Sequence, residues 1–261
     1  MSAPTQIAAP DLEELKRKKA VLAGLEQELA ERELELSTLR GELRLFENRY
    51  NARVGAKYAE LDEAKARVME MAARFFPQSG EFQSGARSAR ERADRSAREN
   101  RDAGTEPPRE KTFSPSEDLR KLFREVAKKI HPDLSSDPKE RERRHDLMAR
   151  LNMAYEGLDE HRIRAILQEW EDGRKTDDAA GLGLQLVKTI RKIAQARPRL
   201  ESIRDETERL RNCEMFKLME KIGAAEKEGR DILGEMVSEI EDKIDLLRSK
   251  VKKLAGEALG F

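Results

Sequence analysis

No proline falls between Pro10 and Pro77, and within that span an apolar residue returns at every seventh position: Leu15, Leu22, Leu29, Leu36, Leu43 and Tyr50. Proline breaks helices, so the whole span is free to be helical. A second line, Leu25, Leu39 and Phe46, fills the alternate seam positions and is interrupted by Lys18 and Arg32. Between Leu36 and Tyr50 the alternating three- and four-residue spacing is that of a coiled-coil seam. Asp11, ahead of Glu13 and Glu14, suits a capped and acidic helix start. The pattern loosens after Tyr50, and Gly55, close to Asn51, marks the expected break or hairpin turn. A second proline-free region follows Pro198 and carries another strict seam: Leu233, Val237, Ile240, Ile244, Leu247, Val251 and Leu254.

Such seams need little bulky apolar material. Charged residues make up 40% of the chain and aromatic ones 5%, which argues against one large globular core and for extended helices. No strand pattern occurs, so the expected fold class is all-α. The expected organisation is a disordered tail over 1–10 and an N-terminal coiled coil over 11–76. A linker rich in Arg, Ser, Gly and Pro occupies 77–112, followed by a helical hairpin with a further helix over 113–172. A connector helix spans 173–198 and a C-terminal coiled-coil helix 199–261.

Residues 113–172 carry the most information. Leu119, Leu122, Phe123, Val126, Ala127 and Ile130 form one apolar helical stripe. A second stripe follows as Leu147, Met148, Leu151, Ala154, Tyr155 and Leu158, ending near Gly157. Each helix has a start signal: Ser114-Pro115-Ser116-Glu117 reads as an N-cap with proline at the first helical position, and Asp137-Pro138-Lys139-Glu140 repeats the device. Between them lies His131-Pro132-Asp133. Pro132 lacks a backbone donor and disfavours helical geometry at His131, so the first helix must end there, displaying His131 and Asp133 at the tip of a stiff hairpin. The first helix is basic, with Arg120, Lys121, Arg124, Lys128 and Lys129 against Glu125.

At these residues the chain resembles the J-domain family, the co-chaperones of DnaK-type ATPases. Phe123, Val126, Ala127 and Ile130 match the family's apolar stripe on its second helix. His131, Pro132 and Asp133 match its signature tripeptide, and Asn152, Ala154, Tyr155 and Leu158 match the run on its third helix. The resemblance implies that Asp133 is the trigger contact and that His131 and Pro132 fix its presentation. It also implies that Arg120, Lys121, Arg124, Lys128 and Lys129 form a docking patch for an acidic surface of the ATPase. A core of Leu119, Phe123, Val126, Ala127, Ile130, Met148, Leu151, Ala154, Tyr155 and Leu158 is expected beneath it. The match covers about residues 113–160 and departs from the pattern. Pro107, Pro108 and Phe113 stand where a first helix should precede, Leu134 follows the tripeptide where Lys is common, and Asp159-Glu160-His161-Arg162 replaces the usual fourth-helix start. The helix from Ile163 to Trp170 is expected to cover the hairpin in place of the missing one.

Other function classes fare less well. Lys and Arg balance Asp and Glu at 52 each, so any electrostatic message is local. Arg87, Arg90, Arg92, Arg95, Arg98 and Arg101 could meet phosphates, but Glu91, Asp94, Glu99 and Asp102 interleave them, and nucleic acid is not the expected partner. His131, His145 and His161 lack ligand spacing and no cysteine cluster accompanies them, so neither metal nor cofactor is expected. No nucleophile or acid/base constellation appears, so no catalysis by the chain itself is expected. The lone Cys213 cannot form an internal disulfide, no apolar run approaches the ~20 residues needed to span a bilayer, and the first residues lack signal-peptide features. A soluble cytoplasmic protein is the expectation. Three functions remain open: a co-chaperone stimulating a DnaK-type ATPase, a coiled-coil scaffold with a degenerate docking module, or, against the charge pattern, nucleic-acid binding through the Arg-rich linker and the basic helix. Whether the coiled coils pair with themselves, with a helical partner protein or within one chain is also open.

Overall fold

The structure is a computed structural model and describes residues 9–102, 112–135, 137–173 and 181–258. Residues 1–8 of the expected tail over 1–10, residues 103–111 of the expected linker, 174–180 of the connector and 259–261 at the end lie outside the described residues; Ala9 and Pro10, expected in the tail, are already helical. Every described element is helical: α1 (Ala9–Tyr50), a π-helical turn (Asn51–Gly55), α2 (Ala56–Phe75), α3 (Gly80–Asp102), α4 (Glu117–Ile130), a 3-10 turn (Pro132–Leu134), α5 (Pro138–Glu156), α6 (Glu160–Asp172), α7 (Leu182–Asn212), α8 (Glu214–Lys227) and α9 (Ile232–Ala258). The all-α expectation holds for these residues. They form two compact units, Met1–Glu42 with Phe113–Cys213, and Leu43–Thr112 with Glu214–Phe261.

The first unit is built on α4 and α5. Phe123, midway along α4, packs its ring 4.7 Å from that of Tyr155, late in α5, while the His131 carbonyl at the end of α4 accepts from Arg144, earlier in α5, so the two helices run antiparallel. All ten expected core residues lie in one cluster: nine are buried and Leu158 packs against it partly buried. Ile163, Ile166 and Trp170 of α6 join the same cluster, as the sequence led us to expect. Ala30 and Leu34 of α1 join it too. The helix ends are set locally. Ser116, rather than Ser114, caps α4, its Oγ accepting from the Leu119 N–H at 3.1 Å, and Pro115 stands outside the helix. Asp137 caps α5 with Pro138 in the first turn. Leu158 closes α5 at φ 55°, where Asp159 N–H reaches the Ala154 carbonyl at 2.8 Å. Replacing Ser116 with alanine is expected to cost about 1 kcal/mol, read as a shift in the denaturation midpoint of Trp170 fluorescence.

The partner of the α1 seam is α7. Lys19 to Gln185, Arg199 to Glu33, and Arg40 to Glu206 are all hydrogen bonds between residues 166 apart. A constant offset over that length means two parallel helices in fixed register. Leu29 and Leu36 are buried against Ala196 and Ile203, and Leu22 packs with Ile193 and Leu134. The boundary expected at Pro198 is not a helix end: α7 runs through it. Proline leaves the Ala194 carbonyl without its helical donor, and Ala194 is exposed, so water can serve instead. Gly41 lets α1 approach closely, since a Cβ there would stand 2.6 Å from the Phe113 ring.

In the second unit the last turns of α1, the π-helical turn and α2 pack against α8 and α9. The core holds Phe46, Val54, Leu61, Ala64, Ile222, Leu233, Ile240 and Ile244. Gly55 keeps right-handed helical angles, so the expected break at 51–55 is only a π-helical turn, and the chain reverses at Phe76–Ser79 instead. The segment expected as a linker carries α3. It runs antiparallel to α2: Gln83 donates to the Ala73 carbonyl, Arg90 bridges Glu70 and Glu63 at 2.7 and 2.6 Å, and Ser96 donates to Asp62 at 2.8 Å. Small residues, Ala86 and Ala93, are the buried ones on α3, which permits close packing with little hydropathy signal. The expected continuous helix over 199–261 is broken twice. Cys213 is extended between α7 and α8. Gly229 adopts φ 78° after α8, a value that favours glycine, before Asp231 caps α9 through the Gly234 N–H.

Candidate functional site

α4 stops at Ile130 because Pro132 forces His131 out of helical geometry, to φ −55° and ψ 127°. Pro132–Leu134 then makes a single 3-10 turn, closed by Leu134 N–H to the His131 carbonyl at 3.2 Å. The Asp133 N–H donates to His131 Nδ1 at 3.3 Å. That bond requires Nδ1 to be bare, so the neutral ring carries its proton on Nε2, which points at Glu33 Oε1 3.4 Å away.

The expected display of the tripeptide is not what the structure has. His131 is 1% exposed and Pro132 is buried, while the Asp133 side chain is 27% exposed. The cover comes from α1 and α7. Glu33 of α1, itself buried, takes both His131 and Arg199 Nη2 of α7, the latter at 2.6 Å, on the same oxygen, Oε1. Burial pushes the Glu33 carboxyl upward, but the hydrogen bond from His131 and the charge of Arg199 outweigh it, and the group ionises below its ordinary 4.5. Gln195 of α7, with its amide oriented to suit its neighbours, donates to the carbonyls of Asp133 and Ser135 and accepts from Arg141. Leu134 is buried between Leu22 and Ile193. From α5, Arg144 donates to the His131 carbonyl at 3.2 Å while stacking 4.6 Å from the Trp170 ring centre.

The five expected docking cations are not equivalent. Arg124 pairs with Glu117 at 3.0 Å and Glu31 at 3.4 Å. Lys129 pairs with Glu125 and Glu171, and its hydrogen bonds to those two carboxylates, Glu125 first, push its pKa up. Arg120 is half-buried, and its positive charge acts on both the Glu42 carboxyl and the Tyr155 phenol. Lys121 and Lys128 are exposed. On α5, Asn152 Oδ1 accepts from Ser37, and the Tyr155 hydroxyl meets Thr38 at 3.0 Å, so α1 supplies a polar partner to each.

Glu33, Gln195, Arg199 and Arg144 were not found from the sequence. The one available signal was Glu33 itself, four residues after Leu29 and three before Leu36, a carboxylate on the buried side of a seam. His145 and His161 are exposed, and among the described residues no group of three or more His, Cys, Asp and Glu could hold a metal ion. No helix among the described residues is long and apolar enough to cross a membrane. Comparison with protein-family models, with curated proteins and with solved structures finds no match to this chain.

Proposed function

We propose that this chain is an atypical J-domain co-chaperone of the cytoplasm that docks on a DnaK-type ATPase and stimulates its ATP hydrolysis through the His131-Pro132-Asp133 loop. One observation carries the reading. The tripeptide joins two antiparallel helices whose shared core is built from the residues that resemble the family's: Phe123, Val126, Ala127 and Ile130 on α4, with Ala154, Tyr155 and Leu158 on α5. α6 and α1 bury the rest of that core, which supplies the cover that the missing leading helix would give. In this reading Asp133 makes the trigger contact, and the exposed Lys121 and Lys128, with Arg120, Arg124 and Lys129 beside them, steer the encounter with an acidic surface. Such steering weakens with salt. The helices before and after the hairpin in the chain serve client recruitment or self-association.

The test is single-turnover ATP hydrolysis by the cognate DnaK-type protein with wild type, Asp133→Asn and His131→Gln. Losing a charge-assisted hydrogen bond worth ~1.5–3 kcal/mol should reduce stimulation by roughly tenfold or more in the Asp133 variant. Stimulation that is equal in all three proteins would refute the mechanism. The burial of His131 and the pairing of Arg124 and Lys129 favour a second reading, a coiled-coil scaffold with a degenerate docking module, and no stimulation by wild type would select it.

A further inference from the structure

Pro198 divides α7 into two parts that are held differently. Beyond it, Leu200, Ile203 and Leu210 belong to the apolar cluster formed with Leu25, Leu29 and Leu36 of α1. Before it, Ala196 in the hinge turn is the one residue of that cluster, and the rest of the segment from Leu182 contributes little apolar surface: Ile193 packs on Leu22 and Leu134, while Leu184, Val187 and Ile190 are exposed. Much of its hold is polar. Lys19 reaches Gln185, and Gln195 grips the loop carbonyls of Asp133 and Ser135. Lys192 lies beside it with its pKa lowered by burial, a charge that gains by returning to water. At the end of this segment the Ala194 carbonyl lacks its helical donor, because residue 198 is proline, so bending there breaks no existing hydrogen bond of that carbonyl. Polar contacts, exposed apolar residues and a proline at one end are the properties of a segment that opens locally while the rest of its helix stays docked.

We propose that residues 182–197 of α7 are a lid over the His131-Pro132-Asp133 loop, hinged at Pro198, and that the loop meets its partner only when the lid lifts. The regulatory half of this statement rests on the co-chaperone reading; the lid itself does not. A docking loop that is open for a small fraction of the time binds with its affinity reduced by that fraction. Loosening the lid therefore strengthens docking without adding a contact.

The chain holds its own internal standard, because His145 and His161 are exposed while His131 is buried. Deuterium exchange at the imidazole C2 position, followed by mass spectrometry on the full chain, reads all three histidines at once. In wild type His131 is expected to exchange at least about tenfold more slowly than the other two, since exchange is limited by the open fraction. In the double variant Gln195→Ala, Ile193→Ala it should exchange at least about threefold faster than in wild type, Glu33 and Arg144 still standing beside it, with Trp170 emission unchanged to show that the hairpin core is intact. The same variant should stimulate the DnaK-type ATPase at lower concentrations than wild type does. Fast exchange of His131 in wild type, or unchanged slow exchange in the variant, would overturn the lid. Freed His131 with stimulation unchanged or reduced would overturn its regulatory role. If His131 is freed and neither protein stimulates, the lid stands and the co-chaperone reading fails.

Discussion

Truncating Phe123 to alanine is expected to lower the stability of the first unit by about 3–5 kcal/mol. The residue is fully buried where α4, α5 and α6 meet, and its ring is tilted against Tyr155, so its removal takes away transfer energy and leaves a hole bounded by helices from three directions. Against a domain stability of ~5–15 kcal/mol, that loss threatens folding at ordinary temperature. Trp170, the chain's single tryptophan, lies in the same cluster, so its fluorescence during urea denaturation follows this unit and not the other. Phe76→Ala is the control: at 56% exposure it should shift nothing beyond about 0.5 kcal/mol. A Phe123→Ala midpoint within experimental error of wild type would mean that α4 and α5 do not share this core.

The second large effect concerns the buried carboxylate beside the tripeptide. Arg199→Leu strips Glu33 of its cation and leaves the carboxylate with His131 alone. Breaking a fully buried pair costs ~3–5 kcal/mol, and because the Arg199 side chain keeps 30% of its exposure, a loss of about 1.5–3 kcal/mol is expected. The double variant Glu33→Leu, Arg199→Leu should recover most of that loss, since it leaves no unpaired charge. The pH dependence separates the three proteins. In wild type the folded Glu33 ionises below its ordinary 4.5, so its contribution is complete above that value and disappears as pH falls through the folded pKa. In Arg199→Leu the opposing effect of burial is left less compensated. Stability should then fall less steeply with acid, and it rises with acid if burial prevails. The double variant should lack this component altogether. Identical acid limbs in all three proteins would show that Glu33 does not ionise where the geometry places it.

The hairpin was legible in the sequence because its determinants are local. Asp137-Pro138 starts α5, Pro132 stops α4, and the two apolar stripes follow the 3.6-residue period without interruption. The cap of α4 moved by two residues because Ser114 and Ser116 offer the same chemistry on either side of Pro115. The cover over the loop was not legible, since a heptad announces that a seam exists without saying which surface fills it: Leu29 and Leu36 meet Ala196 and Ile203, far along the chain. Glu33 was hidden for a different reason. In a chain with 40% charged residues, one more glutamate beside Arg32 reads as solvated surface. α3 read as a linker because its contacts are made by Ala86 and Ala93, with Arg90 held between two carboxylates, and neither device raises hydropathy.

The constant offset of 166 residues between α1 and α7 has a consequence for how the protein is made. Each rung of the pair joins a residue to one synthesised much later, so at ~5–20 residues per second a ribosome delivers the partner roughly ten to thirty seconds after the α1 seam emerges. Through that interval Leu29 and Leu36 lack the α7 surface that covers them. The α4–α5 hairpin, by contrast, is complete in the nascent chain as soon as its own residues have left the tunnel. The order of birth therefore gives the His-Pro-Asp loop only α1 as cover at first and closes α7 over it last.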